Sequence, residues 1–459
     1  MWWVVAAVAG AVAAAAITRW AWAFVAGEPI LYGEGAVAHA ASLARAQLEY
    51  AKFDDPHGPL FVAANYPPLY FHVAGIAGPF IAGRTASVLA ALFVAVAIAR
   101  TAQLRGSLLA GVALGLCWLA CVPVAVWGPV VKPDLLAVAL AVAAVLAARD
   151  RRRSALAGAL IALAVWTKPT EALPAIALAF FLAQERAALL RYGGGAFVAS
   201  VTVVGLTWGN PAAMFTHVVT WNALPWHADR ALLLVVLGLI VIATPLVLYA
   251  STRPRGAVWG YALAALGIVV LGGREGATLN YLLDLAAATM LGLATVADRL
   301  AARALPPLAL AAQVGLAAIL LDPFGFGVPG AISTGSWAPP GRLAVVHEIH
   351  GDVLAEDSGL LVADGREPRV DDLFLWSRLL SLLGPSAFPE GPRVLSAVRD
   401  GEFDAVVSEV DLARLSSAPT YERERWHPQL ADAVLARYRL ARQVGGLFVY
   451  ERATTRAPA

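Results

Sequence analysis

Charged residues are scarce in this chain. Lysine, arginine, aspartate and glutamate make up 14% of its 459 residues, whereas a soluble domain has about 25%. This shortage excludes an ordinary water-soluble protein. The net charge of +2, without a basic patch with interleaved aromatic residues, gives no reason to expect a nucleic-acid partner. Cysteine is nearly missing as well. Cys117 and Cys121 lie one helical turn apart in an apolar run, so they cannot join separate elements by a disulfide.

Long apolar runs make up most of the rest. Hydrophobic residues account for 59% of the chain, and the uncharged runs can cross a hydrocarbon core of about 30 Å, given some tilt. The sequence predicts an α-helical polytopic membrane protein with about eleven transmembrane helices. The predicted spans are residues 2–25, 84–99, 106–127, 133–148, 154–167, 171–184, 193–209, 231–250, 256–271, 280–297 and 306–321.

Arginine residues mark every second connection between these spans. Because cytoplasmic loops are enriched in lysine and arginine, the alternation predicts a cytoplasmic N-terminus and, after eleven spans, an extracytoplasmic C-terminus. Residues 26–83 then form one large outer loop. The apolar run 67–83 is predicted to be an interfacial helix of that loop, although a true span stays open. The arginine-rich connections contain Arg100, Arg105, Arg149, Arg151, Arg152, Arg153, Arg186, Arg191, Arg253, Arg255, Arg299 and Arg303.

The chain changes character after its last predicted span. Residues 1–321 are predicted to form the membrane domain, and residues 322–341, rich in glycine and proline, a linker. Residues 342–459 are predicted to form a small extracytoplasmic α/β domain. Its predicted strands are 359–363, 403–408 and 445–451, and its predicted helices are 372–383, 392–400 and 428–442. Because no glycine-rich phosphate loop occurs there, a structural or docking role is expected.

Acidic, basic and histidine residues collect on the predicted outer face. Charges at membrane depth are costly, so their presence needs a reason. Glu34 and Arg45 are eleven residues apart, which places them on one face of a predicted helix over 34–50. Glu34 is either an acid that offsets the dipole of that helix or a catalytic carboxylate.

Two Lys-Pro turns lie at the outer ends of neighbouring spans. Lys132 precedes Pro133 and Asp134, and Lys168 precedes Pro169. The two ammonium groups could bind an anion such as a phosphate. Alternatively, they are snorkelling lysines, and Asp134 is an ordinary acid at a helix start.

With these motifs, the chain resembles the GT-C superfamily of integral-membrane glycosyltransferases, especially protein mannosyltransferase-like and aminoarabinose transferase-like members. The resemblance covers about residues 1–320 and depends on the order of the motifs YGEG (32–35), NYPPLYFH (65–72), KPDLL (132–136), WTKPT (166–170) and NYLLD (280–284). The sequence departs from the family at Gly33, where relatives often carry the acid that acts as the base, so that role would fall to Glu34.

The resemblance implies inverting transfer of a sugar from a polyprenyl-phosphate donor to a lipid, glycan or protein acceptor on the extracytoplasmic face. Glu34 would be the base, and Asp134 would orient its partner or hold a divalent cation on the phosphate. No metal ligands are assigned, and the need for a cation stays open. Lys132, Lys168 and Arg274 would stabilise the leaving phosphate. The expected substrate contacts are Tyr66, His72, Asn280 and Tyr281.

A location in the cytoplasmic membrane of a bacterium, in contact with membrane lipid, follows from this resemblance. The main alternative function is a transporter or flippase of a lipid-linked or polar substrate. A transporter would be expected to have polar residues at its midplane and two related halves. In this sequence the polar residues lie at the predicted outer ends of the spans, which favours the transferase.

Overall fold

A computed structural model describes residues 1–51, 58–206, 210–301, 303–332 and 337–453. Most of these residues are helical. Short 3-10 turns precede α8, α9 and α14, and a π-helical turn follows α11. The helices up to residue 320 are α1 (Trp2–Ala26), α2 (Glu34–Ala44), α3 (Pro68–Gly75), α4 (Pro79–Gln103), α5 (Leu108–Ala120), α6 (Val122–Trp127), α7 (Asp134–Ala148), α8 (Ser154–Val165), α9 (Ala172–Leu182), α10 (Arg186–Leu206), α11 (Pro211–Phe215), α12 (Ala228–Ser251), α13 (Ala257–Leu271), α14 (Leu283–Ala294), α15 (Ala297–Ala301) and α16 (Leu305–Leu320).

Apolar helices occupy the predicted spans. Among the described residues, α1, α4, α10 and α12 are long and apolar enough to cross a membrane, and the other apolar helices are shorter. The predicted span 106–127 is broken at Cys121, which is extended and separates α5 from α6. Helix α4 begins at Pro79, so Arg84 lies inside it rather than at its start. The number of helices that cross the membrane stays a prediction.

Small residues allow close approach within the helical bundle. A Cβ atom added to Gly158 of α8 would lie 1.9 Å from the Tyr192 carbonyl oxygen of α10. A Cβ atom added to Gly195 of α10 would lie 1.9 Å from the Ala155 carbonyl oxygen. Apolar side chains gain little by leaving lipid for protein, so such backbone contact between helices is a main source of their association.

The first loop contains two short helices, with boundaries that differ from the prediction. Helix α2 ends at Ala44 instead of residue 50, and the chain turns through Gln47, which has a φ of 57°. Helix α3 has eight residues and is about 12 Å long, too short to span a bilayer. The rest of the run 67–83 begins α4, so this run is divided between two elements.

The described residues after 337 include a four-stranded sheet with the order β1-β2-β4-β3. Strands β1 and β2 are parallel, and the other neighbouring pairs are antiparallel. The strands are β1 (Val353–Ala355), β2 (Ala405–Ser408), β3 (Tyr438–Val444) and β4 (Leu447–Arg452). The helices are α17 (Arg342–His347), α18 (Gly359–Ala363), α19 (Leu373–Ala387), α20 (Glu390–Asp400), α21 (Thr420–Glu424) and α22 (Pro428–Arg437).

Two predictions of elements in this domain were wrong. Residues 359–363 form helix α18 rather than a strand, because a short apolar run has no periodicity that separates the two. The predicted helix 428–442 ends at Arg437, and the chain continues as strand β3. Strand β1 was not predicted. The predicted domain limits at residues 321 and 342 stay a prediction, and part of the linker lies outside the described residues.

The C-terminal domain, residues 337–453, is joined to the first loop by buried polar contacts. His39 Nδ1 lies 3.0 Å from Asp371 Oδ2, and the other oxygen of Asp371 accepts a hydrogen bond from Ala63 N. The Glu28 carboxylate accepts hydrogen bonds from the backbone N–H groups of Gly341 and Leu343. These contacts hold the start of α19 close to the ends of several helices of the bundle.

Candidate active site

A cavity of about 190 Å³ lies where the helical bundle, the first loop and the C-terminal domain meet. Segments far apart in sequence form its walls. The side of the bundle and first loop contributes Leu31, Tyr32, Gly33, Asn65, Tyr66, Trp127, Lys132, Lys168, Pro169, Thr170, Val218, Asn222, Leu224 and the stretch from Arg274 to Tyr281 except Leu279. The C-terminal domain contributes Asp372, Phe374, Leu375 and Tyr421.

Lys168 is fixed at this cavity by a buried ion pair. Its Nζ lies 2.6 Å from Asp134 Oδ1, and the same oxygen accepts a hydrogen bond from Asn280 Nδ2 at 2.7 Å. The Tyr281 ring centroid is 4.8 Å from Lys168 Nζ. Lys168 is extended, as a residue before proline favours, and Asp134 is the first residue of α7. Asp134 therefore lies behind the cavity and orients Lys168.

Two further predicted cations, Lys132 and Arg274, line the cavity. Within the described part of the chain, neither side chain makes an ion pair or a hydrogen bond, and Lys132 acts on the Asp372 carboxylate of the same cavity only by longer-range attraction. Lys132 lies against Gly33, where an added Cβ atom would be 2.9 Å from Lys132 Nζ. Gly33 also has a φ of 83°, a conformation that glycine adopts without strain. Two cations that make no ion pair leave the cavity able to bind an anion.

Three backbone N–H groups bind the Glu34 carboxylate. Its Oε2 accepts hydrogen bonds from Ile30 N and Leu31 N, at 2.6 and 3.2 Å, and its Oε1 accepts one from Val131 N at 2.7 Å. Arg84 Nη2 lies 3.7 Å from Oε2. Glu34 is fully buried and does not line the cavity. The geometry therefore favours a positioning role, in which Glu34 holds the first loop against the residue before Lys132.

Two other expectations from the sequence also differ from the structure. Arg45 does not share a helix face with Glu34, because α2 ends before it, and its guanidinium donates to the carbonyl groups of Gly75 and Ile76. His72 does not line the cavity, and its Nε2 lies 3.5 Å from Glu49 Oε1. Of the predicted residues, the structure thus brings together at the cavity Tyr66, Lys132, Lys168, Arg274, Asn280 and Tyr281.

The replacement of Glu34 by glutamine is expected to weaken the docking of the first loop. Its hydrogen bonds to a charged group are worth about 1.5–3 kcal/mol each, and an amide retains only part of them because its NH2 group cannot accept. We expect a lower midpoint of thermal unfolding in detergent and a partial loss of activity. A complete loss of activity with unchanged thermal stability would contradict the positioning role and restore Glu34 as the base.

Sequence reasoning did not assign a site role to Glu275 or to the residues that the C-terminal domain brings to the cavity. Glu275 lines it, but His227 Nε2, at 2.9 Å, and Arg378, at 2.7 and 2.8 Å, occupy both of its carboxylate oxygens. Asp372 lines it from the position just before α19, where its side chain caps the helix. The sequence contains the N-cap pattern of an acid before an apolar helix. It gives no sign that this acid approaches the cavity.

Carboxylates also lie behind Lys168, deeper in the bundle. Glu171 and Asp284 are fully buried, and Asp284 Oδ1 accepts a hydrogen bond from the Tyr261 hydroxyl at 2.7 Å. Among the described residues, no group of three or more histidine, cysteine, aspartate or glutamate side chains is arranged to hold a metal ion. Of the acids behind the cavity, Asp134 is the partner of Lys168 and Asp284 is the partner of Tyr261.

Two solved structures share the fold of this protein over nearly the whole chain. The crystal structure of ArnT from Cupriavidus metallidurans in the apo state is 14% identical, with a TM-score of 0.58 and 96% of each chain covered. ArnT bound to undecaprenyl phosphate is 13% identical, with a TM-score of 0.59 and 98% of each chain covered. The chain has the fold of ArnT.

The architecture expected from the sequence motifs, that of an aminoarabinose transferase-like membrane protein, is therefore confirmed at the level of the fold. The oligosaccharyltransferase AglB from Archaeoglobus fulgidus, in complex with an inhibitory peptide and a dolichol-phosphate, is matched with a TM-score of 0.40. That match has 13% identity and covers 96% of this chain and 75% of AglB. No family model and no curated protein matches the sequence.

Proposed function

We propose that this protein is a membrane glycosyltransferase that moves a sugar from a polyprenyl-phosphate donor to an acceptor on the extracytoplasmic face, with inversion. The observation that carries the proposal is the convergence of Lys132, Lys168 and Arg274 on one cavity in a chain with the ArnT fold. ArnT itself has been solved with undecaprenyl phosphate. A lipid phosphate of that kind fits a cavity in which two cations, Lys132 and Arg274, make no ion pair with the described residues.

The cations of the cavity would supply electrostatic stabilisation. As the bond between the sugar and the phosphate breaks, negative charge accumulates on the phosphate, and fixed positive groups nearby lower the barrier. Lys132 and Arg274 are free to contact that phosphate. Lys168, held by Asp134, would act at a fixed position, which avoids the reorganisation that a mobile lysine would need. Tyr66, Asn280 and Tyr281, which line the same cavity, are proposed to contact the sugar.

The proposal includes a location and a topology. The apolar helices support a multi-pass protein of a bacterial inner membrane. We propose about eleven spans, with the N-terminus in the cytoplasm and the C-terminal domain outside, since arginine residues occupy alternate connections. The cavity and the C-terminal domain then lie at the extracytoplasmic face.

Binding of undecaprenyl phosphate tests this function. We expect the substitutions Lys132→Gln and Arg274→Gln each to raise the dissociation constant about 10-fold to 100-fold, since a charged hydrogen bond contributes about 1.5–3 kcal/mol. Binding would be measured by native mass spectrometry or fluorescence on detergent-solubilised protein. The assay would include undecaprenol, which has the same tail but no phosphate.

Arg105→Gln provides the matched control, because Arg105 is an exposed arginine that follows α4 and does not line the cavity. It should leave the affinity unchanged. The two test variants should also leave the binding of undecaprenol unchanged. The proposal fails if they bind undecaprenyl phosphate as tightly as the unmodified protein.

A further inference from the structure

Among its described residues, the first loop presents no carboxylate to the cavity. Gly33 occupies the position before Glu34, and an added Cβ atom there would lie 2.9 Å from Lys132 Nζ. Glu34 itself faces backbone N–H groups. Transfer to a hydroxyl acceptor nevertheless needs a group that removes the hydroxyl proton. Among the described residues that line the cavity, the carboxylates are Glu275 and Asp372.

These two carboxylates differ in how many of their oxygen atoms already accept hydrogen bonds. Glu275 has both oxygens bound, by His227 and Arg378. Asp372 uses only Oδ1, which accepts hydrogen bonds from Leu375 N at 2.9 Å and from the Tyr32 hydroxyl at 3.3 Å. Within the described part of the chain, Oδ2 of Asp372 accepts no hydrogen bond. Asp372 therefore offers the cavity a fixed carboxylate with one oxygen available.

We infer that Asp372, contributed by the C-terminal domain, is the general base of the transfer reaction. In this step the acceptor hydroxyl gives its proton to Asp372 Oδ2, and its oxygen forms a bond to the anomeric carbon of the sugar. The bond between that carbon and the phosphate oxygen breaks, and its electron pair leaves with the phosphate. This inference rests on the proposed function, and it gives the C-terminal domain a part in the chemistry.

The surroundings of Asp372 suit a base. Burial raises the pKa of Asp372 to about 6, opposed by the Leu375 N–H. The neighbouring Asp371 adds to the rise, while Lys132 and the Tyr32 hydroxyl also oppose it. A base works best when its pKa lies near the working pH. Because the folded carboxyl group loses its proton as pH rises through about 6, the active form is present above that pH and is lost below it.

The substitution Asp372→Asn removes the base and keeps the helix cap, because asparagine caps a helix as well as aspartate does. We expect kcat to fall about 100-fold or more, in line with general-base catalysis, with the affinity for undecaprenyl phosphate unchanged. The assay would follow transfer of radiolabelled sugar from undecaprenyl-phosphate-linked hexoses and pentoses to bacterial envelope membranes. The unmodified protein should show an acidic limb near pH 6 in kcat/KM, and the variant should lack it.

Asp411→Asn is a closely matched control in the same domain. Asp411 caps a 3-10 turn, and its Oδ1 accepts hydrogen bonds from Ala413 N and from the Tyr450 hydroxyl, but it does not line the cavity. This variant should transfer sugar at the normal rate. If Asp372→Asn stays within about threefold of the unmodified protein, keeps the acidic limb, or loses affinity for undecaprenyl phosphate, Asp372 is not the base.

A second measurement keeps the assignment separate from the proposed function. Infrared difference spectra of the unmodified protein and Asp372→Asn should show a carboxyl band that titrates near pH 6 only in the former, and the absence of that band overturns the assignment. Failure of the unmodified protein both to bind undecaprenyl phosphate and to transfer sugar from any donor of the panel would instead overturn the proposed function, and with it the role of Asp372.

Discussion

Replacement of Asp134 by alanine should both destabilise the protein and abolish its activity. Lys168 is buried, with 4% of its surface exposed, and Asp134 is its ion-pair partner. Removing one member of a buried pair leaves an uncompensated charge and costs about 3–5 kcal/mol. Asn280 loses its acceptor as well. The measurement is thermal unfolding in detergent, followed by intrinsic fluorescence, together with the binding of undecaprenyl phosphate.

The double substitution Asp134→Leu with Lys168→Met separates stability from function. Replacing a buried ion pair by apolar residues of similar size is often neutral or stabilising, so the double variant should unfold near the temperature of the unmodified protein. Its affinity for undecaprenyl phosphate should nevertheless be low, because Lys168, the fixed cation, is gone. An Asp134→Ala variant that is as stable as the unmodified protein would contradict the structural role of the pair.

Replacement of Arg425 by methionine should loosen the wall of the cavity formed by the C-terminal domain. Arg425 Nη1 lies 3.0 Å from Glu356 Oε1 and also binds Glu409, and its guanidinium covers the rings of Tyr32 and Tyr421 at 4.0 and 4.7 Å. The loss should cost about 3–5 kcal/mol, because buried carboxylates then lack their counter-ion. Limited proteolysis of the C-terminal domain and its thermal unfolding would measure the effect.

Arg414→Met provides the control for this prediction. The Arg414 side chain is 83% exposed and is 3.8 Å from Asp411, and such surface pairs contribute about 0–1 kcal/mol. Its removal should leave protease resistance and sugar transfer unchanged. Equal sensitivity of the two variants to protease would mean that the buried network around Glu356 does not hold the domain together.

The membrane part was the most predictable part of the fold. Long apolar runs and alternating arginines can be recognised from local composition alone. Helices occupy the segments predicted from the apolar runs. The errors lie where tertiary contacts decide the local structure. Residues 359–363 form a helix packed on α2, and a five-residue apolar run contains no signal that distinguishes this from a strand. The helix predicted to residue 50 ends at Ala44, where the chain turns to meet α3.

The site was predictable where its residues lie next to turns that proline marks in the sequence. Lys132 and Lys168 precede prolines, and their arrival at one cavity follows from their position at helix ends on the same side. The contacts of Glu34 could not be predicted, because the direction of a buried carboxylate depends on which N–H groups the fold brings near. Asp372 was missed for a related reason: it is far from the other site residues in sequence and reaches the cavity only through the docking of its domain.

The position of Asp372 has a consequence for how the protein is made. Tyr32 and Asp372, which share a hydrogen bond at the cavity, are separated by 340 positions in sequence. Chains are synthesised from the N-terminus, and domains generally fold as units in that order. The membrane helices are therefore inserted long before the last part of the site exists. With the proposed function and topology, a partly synthesised chain would be able to hold a lipid phosphate but would lack the proposed base. Transfer would then begin only when export of the final domain is complete.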